Sequence, residues 1–272
     1  MPLQLDPRRA MPTEAWPWDA RQPPSSLPTG PWIMEQRWHD LLFMHWPIKP
    51  EVLRARLPAA LAPHLDLFAG QAWLGVVPFW MSHVGLRGLP PWSPFAELNL
   101  RTYVNIDGQP GVYFFSLDAE SRTAVWGARA SFRLPYYYAA MELKQSGEEI
   151  TYRSQRLGAA NSAEFIGKYG PLAEPEFQAA PGSLESFLVE RYCLYTANGA
   201  KIRRGKIMHR PWPLRRAWCN VESNTIATAA GITLPTSEPV LHYVPTIRVA
   251  IWWPQRVTPS ISGEPGASAT GV

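Results

Sequence analysis

The sequence predicts a mainly β fold, a mostly antiparallel sheet with a few peripheral helices. Three observations carry this expectation. The chain of 272 residues holds 29 prolines and 13 tryptophans but only 18% charged residues. Many prolines and bulky aromatics suit a loop-rich β architecture with a large interior better than a helical bundle. Second, residues Phe95–Val104, Gly111–Ala119 and Ala128–Tyr136 alternate polar and apolar side chains with the period of two that a strand imposes. Third, the run Ala72–Trp80 is apolar on both faces, the pattern of a strand covered on both sides.

Taken in order, residues 1–31 are proline-rich without apolar periodicity and read as an extended, partly disordered arm. A single domain is expected over 32–256, because no linker composition or internal repeat interrupts it. The Ser/Gly/Pro/Ala-rich stretch 257–272 reads as a disordered tail. Within the domain, Trp38–Trp46 is a buried strand. Pro50–Leu57 is a short helix, with proline at its start and Val52, Leu53, Arg56 and Leu57 at helical spacing. Strands follow near 97–106, 111–119 and 124–134, with Asp107-Gly108 as the hairpin turn between the first two. Ile150–Arg156 alternates and is another strand, whereas Ser186–Tyr195 fits helix and strand equally. Lys201–His209 reads as a strand, Val221–Ala230 as a short helix and Thr246–Trp253 as a final core strand.

Composition excludes several function classes. The formal net charge is +4 and the basic run Lys201–Lys206 is short, so no nucleic-acid partner is expected. Arginine supplies 21 of the 26 basic residues, and its planar fork suits carboxylate recognition. Cys193 and Cys219 stand far apart without CxxC spacing. Acid and proline near the N-terminus, and apolar runs well short of the ~20 residues of a span, point to a cytoplasmic protein without a membrane partner. The six histidines form no HExxH, HxH or Cys/His cluster, and no P-loop or GxGxxG is present. No metal or cofactor is expected.

The chemistry concentrates on the alternating block. Odd positions of the first strand are Glu97, Asn99, Arg101, Tyr103 and Asn105, opposite Leu98, Leu100, Thr102 and Val104. The second strand carries Ser116 and Asp118 on one face. The third carries Arg129, Ser131 and Arg133. Two readings stay open: a solvated outer sheet face, or a cleft or barrel interior lined by Glu97, Arg101 and Arg129. In the second, a buried arginine grips a substrate carboxylate with two parallel hydrogen bonds. Glu97 becomes a general acid or base once burial raises its pKa. Tyr103 or Tyr136 could donate to a developing oxyanion, and Asp118 on its strand could orient a histidine, although no Ser/His/Asp arrangement follows from the spacing.

Several segments carry a family resemblance. These are Trp38–Trp46, Leu57-Pro58, Gly70–Trp73, Val77–Phe79 and the alternating block, then Glu190–Tyr195, His209–Leu214 and Leu241–Tyr243. Together, over about 35–255, they resemble the YqjF-like DUF2071 family of the acetoacetate-decarboxylase-like superfamily. The resemblance implies a bent, closed antiparallel β-barrel with peripheral helices and a central cavity. It also implies a small-molecule ligand, a carboxylate or carbonyl compound. Glu97 looks like that superfamily's strand glutamate, and Ala128-Arg129 like its Gly-Arg step. Leu134-Pro135-Tyr136 falls where an aromatic-Pro-Lys is expected. On this match a phenol stands in place of the amine that forms a Schiff base. The resemblance thus implies Glu97, Arg129 and Tyr136 as catalytic residues; the strand pattern adds Arg101, Tyr103 and Asp118 around the substrate, with His45 from one of the family-like segments. Non-Schiff-base lyase or isomerase chemistry is expected, or binding without turnover.

Overall fold

The structure, a computed structural model, describes residues 3–4, 30–92, 94–158 and 160–259. The expected arm and tail therefore lie almost wholly outside the described residues. β1 (Met34–Ile48), β2 (Ala72–Leu86), β3 (Phe95–Ile106) and β4 (Gln109–Ala119) are successive antiparallel neighbours. Asp107 and Gly108 both take positive φ, 53° and 72°, at the tight turn from β3 to β4. β5 (Tyr136–Ser146), β6 (Glu149–Arg156) and β7 (Glu164–Pro171) form an antiparallel meander. β8 (Cys193–Asn198) and β9 (Lys201–Met208) form a hairpin. β10 (Arg215–Asn224), β11 (Val240–Ile251) and β12 (Gln255–Val257) complete the strands.

These twelve strands share one sheet, in the order β12-β9-β8-β4-β3-β2-β1-β11-β10-β7-β6-β5, which closes on itself twice. The β4–β5 pairing, a parallel one, closes a ring of nine strands. The β9–β11 pairing closes a second ring of seven: β9, β8, β4, β3, β2, β1 and β11. Five strands, β11 and β1 to β4, belong to both rings and form a wall between two interiors. The period of two then sorts the residues of β3. Leu98, Leu100 and Val104 join Tyr152 and Phe165 in the nine-stranded interior. Phe95 and Tyr103 join Val77, Phe79, Leu194 and Ile207 in the seven-stranded one.

Helices close the ends. α1 (Pro50–Arg54) has proline in its first turn and buries Leu53. α2 (Arg122–Phe132) lies beside the seven-stranded ring, α3 (Leu184–Val189) precedes β8, and α4 (Ile226–Ala229) follows β10. The expected strand at 124–134 is thus a helix. The Ser121 hydroxyl accepts from the Ala124 amide and caps it, three alanines favour helical backbone, and Arg133 ends it in the left-handed conformation. Apolar Ala124, Val125 and Phe132 then face inward while Trp126 and Arg129 turn outward. At 221–230 the strand β10 continues to Asn224, which leaves room only for the single turn of α4. β5 and β7 had no sequence-based expectation.

The closing seam carries a buried ion pair. Asp118 on β4 and Arg156 on β6 are 0% and 7% exposed, and Arg156 Nε donates to both Asp118 oxygens at 3.0 and 3.2 Å. The guanidinium also lies over the Tyr137 ring, 3.9 Å from its centroid. Asp118 pairs across the seam with Tyr137, so the charges sit where the nine-stranded ring closes. Removing one partner leaves the other buried and uncompensated. Asp118→Ala is expected to lower unfolding stability by roughly 3–5 kcal/mol. The double variant Asp118→Leu/Arg156→Met recovers most of it, as read by urea denaturation.

Candidate functional site

The seven-stranded ring encloses a cavity of about 330 Å³. All seven strands contribute to its wall, including Met34 of β1, Val77 of β2, Val112 of β4, Leu194, Ile207 and Ile251, and α2 adds Ala124 and Phe132. The wall is mainly apolar. Its polar members are Gln36, Glu97, Asn99, Arg101 and Tyr136. Three of these five come from alternate positions of β3, so strand periodicity alone aims them into one space.

Glu97 is 3% exposed, and its Oε2 accepts the Tyr136 hydroxyl at 2.7 Å. Burial pushes its carboxyl up to about 8, and hydrogen bonds from Tyr136 and Asn99 oppose the rise only in part. The nearby charge of Asp118 adds to it. Glu97 is therefore largely neutral at pH 7. The Tyr136 phenol is held well above its ordinary value by burial and by the adjacent carboxyl. The pair keeps its protons at neutral pH and presents a hydrogen-bond donor to the cavity.

Arg101 lies deeper. It is 8% exposed, no ion pair involves it among the described residues, and its Nε lacks a hydrogen-bond partner. Its guanidinium stands over Phe43, 5.0 Å from the ring centroid, and beside Tyr103 at 5.9 Å. Asn99 Oδ1 is likewise buried without a partner. Buried polar groups are normally satisfied, so these two atoms leave hydrogen-bonding capacity unused in the cavity wall.

Behind Arg101, the Tyr103 hydroxyl and His45 Nε2 are 2.6 Å apart. Burial, with the Arg101 charge next, lowers the His45 pKa well below its ordinary value, so the imidazole is neutral and shares one hydrogen bond with the Tyr103 hydroxyl. Neither residue touches the cavity space; both form the floor that holds Arg101. Gly75 makes this packing possible. A Cβ there would stand 3.1 Å from the His45 ring and 3.3 Å from Arg101 Cγ. Tyr103 also lies under Arg191, 4.9 Å from its ring centroid, and Arg191 Nη1 pairs with Asp66 at 2.6 Å.

Two of the expected site residues stand elsewhere. Arg129 is on the exposed side of α2, and its Nε donates to the Tyr136 carbonyl at 2.6 Å. It anchors the backbone that carries Tyr136 and does not line the cavity. The helix that replaced the expected strand is the reason. Asp118 faces the other ring, paired with Arg156, and burial raises its pKa despite that partner. A bulge explains its side: Leu100 pairs with Ser116 but Arg101 with Phe114, so Phe115 is an extra residue in β4. The slip puts Phe114 and Leu117 in the cavity wall and sends Ser116 and Asp118 with Leu98 and Leu100.

None of the five lysines lines the cavity. Lys49 and Lys201 are exposed, Lys144 and Lys168 pair with Glu142 and Glu149 at the surface, and Lys206 alternates with the cavity-facing Ile207. Sequence reasoning missed Asn99 as a partner of Glu97, Gly75, and Trp92 and Trp126 of the aromatic mouth, whereas the Trp252-Trp253 run was open to a place in a cavity wall and Trp253 takes one. For Gly75, a glycine inside an otherwise apolar strand was the available signal.

Comparison with known proteins agrees with this architecture. The chain is similar in fold to acetoacetate decarboxylase from Legionella pneumophila, with 14% identity, a TM-score of 0.56, and coverage of 93% of this chain and 95% of that one. It is similar to the enduracididine biosynthesis enzyme MppR complexed with pyruvate, with 9% identity and a TM-score of 0.55 over 87% and 94% of the two chains. At such identities the likeness concerns the fold. The Bacillus subtilis (strain 168) protein YqjF is 46% identical over 234 residues, which are 85% of this chain and 95% of YqjF. The model of the DUF2071 family, described as an uncharacterized conserved protein, matches residues 35–248. The chain is a member of the DUF2071 family.

Proposed function

We propose that the cavity binds a small organic acid or carbonyl compound, with the ligand carboxylate on Arg101 and Glu97 acting as acid or base. The carrying observation is a buried arginine without a counter-ion, on the same strand face as a carboxyl group held near neutrality, inside an apolar wall. An ionic ligand group would supply the charge partner that Arg101 lacks. Glu97, protonated at pH 7, donates to a carbonyl oxygen, and Tyr136 steadies the carboxylate that remains. Proton transfer at a carbonyl, as in isomerisation or dehydration, needs no amine. Arg129 contributes by holding the Tyr136 backbone, and Tyr103 and His45 by fixing Arg101. Binding without turnover is a second reading, favoured by the position of all five lysines outside the cavity.

Thermal-shift measurement with small carboxylates is expected to raise the melting temperature of the wild type. Arg101→Ala loses the charge-assisted contact, so binding weakens at least about tenfold; equal shifts in both proteins overturn the assignment. Borohydride added in the presence of pyruvate or acetoacetate is expected to leave the protein mass unchanged. A trapped adduct would restore amine chemistry.

The carboxyl of Glu97 also sets a pH dependence. Its folded pKa of about 8 exceeds its ordinary 4.5, so the folded state binds more protons between these values. Its contribution to stability is complete below about pH 4.5 and declines as pH rises through 8. Glu97→Gln is expected to gain stability relative to wild type as pH rises from 5 to 9, measured as melting temperature. A constant difference across that range contradicts the raised pKa.

A further inference from the structure

The strand register gives the cavity a direction. Along β3 the inward residues run Phe95, Glu97, Asn99, Arg101, and the partners of β2 run Met81, Phe79, Val77, Gly75. Beyond Met81, Leu86 pairs with Met34, which pairs with Ile251. At this end the lining residues are solvent-accessible: Trp126 is 76% exposed and Trp253 54%. At the Arg101 end the wall is buried, and Phe187 of α3 packs on Tyr103 and Phe68 with ring centroids 5.4 and 5.5 Å apart. The cavity therefore opens at the tryptophans and is closed beyond Arg101.

Arg101 and Glu97 are four residues apart, a rise of ~13 Å along an extended strand. The Arg101 guanidinium stands over the Phe43 ring, 5.0 Å from its centroid. A three-carbon keto acid is short against this backbone separation. The volume agrees: about 330 Å³ takes roughly eleven water-sized groups at ~30 Å³ each, about twice such an acid. Between Asn99 and the mouth, apart from Glu97, Tyr136 and Gln36, the wall is apolar.

We propose that the ligand is an elongated amphipathic carboxylic acid seated head first. Its carboxylate lies on Arg101 at the closed end, its apolar chain runs past Glu97 and Tyr136, and its tail meets the tryptophans of the mouth. This inference rests on the reading of the cavity as a carboxylate site. It adds the size class, the polarity and the orientation. Glu97 and Tyr136 then face the middle of the chain, several carbons from the carboxylate.

Titration calorimetry of the full chain with pyruvate and straight-chain acids of two to twelve carbons tests it. Affinity is expected to rise by about fourfold per methylene, then to level off beyond roughly ten carbons as the tail emerges from the mouth. Arg101→Ala weakens all acids alike, whereas Trp253→Ala weakens octanoate and leaves pyruvate unchanged. Affinity that collapses for the longest acids signals a tail-first ligand and overturns the orientation. Equal affinity for pyruvate and octanoate overturns the size class while leaving the carboxylate site intact. Failure of every acid to bind, or binding unaffected by Arg101→Ala, overturns the carboxylate site itself.

Discussion

The shared wall governs the rest of the molecule. Five strands belong to two closed rings at once, so both of their faces are interior. Away from the strand ends, a side chain on such a strand cannot be relegated to solvent by facing away from a core. A polar residue there must therefore find a partner within one of the two interiors or remain unsatisfied. Asp118 finds Arg156 in one ring, and Asp40 takes the Trp80 indole and the Tyr243 hydroxyl in the same wall. Arg101 and Asn99, in the other ring, keep atoms without partners. Ser116 and Ser154 on the nine-stranded side also keep a hydroxyl without a partner, but there Asp118, Arg156 and Asp40 each have one, whereas no ion pair involves Arg101 among the described residues.

The two interiors divide the work. The nine-stranded ring is filled by Tyr152, Phe165, Tyr169 and aliphatic residues, and the Tyr152 hydroxyl donates to the carbonyls of Glu97 and Phe79. That phenol thus stiffens from behind the stretch of β3 that presents Glu97 to the cavity. Tyr136 is held by the Arg129 contact and by the β4–β5 pairing. A donor–acceptor pair fixed at 2.7 Å from two distant strands is the preorganisation that proton transfer rewards.

Much of this was legible in the sequence, and the exceptions have physical causes. The alternation across 95–106 placed Glu97, Asn99, Arg101 and Tyr103 on one face, because the period of two is local. The segment 124–134 also alternates, yet Ser121 and its alanines make it a helix, and capping outweighs a pattern of large and small residues over so short a span. Asp118 went to the wrong side on paper because a single extra residue, Phe115, reverses the parity of its strand. The partners of Glu97 and Asp118 lie 39 and 38 residues away, and no local pattern encodes contacts made by ring closure. Likewise the double closure itself is a property of the β4–β5 and β9–β11 pairings, invisible to periodicity.

The position of the lysines has a chemical consequence beyond the choice of mechanism. Aldehydes and activated ketones are toxic to proteins because they condense with amines and alkylate thiols. The cavity wall holds neither group, since every lysine lies outside it and Cys193 and Cys219 do not line it. Its polar groups are an arginine, two amides, a carboxyl group and a phenol, which between them offer both hydrogen-bond donors and acceptors. A carbonyl compound in this interior thus meets groups that hydrogen-bond to it or exchange protons with it, and no lysine or cysteine.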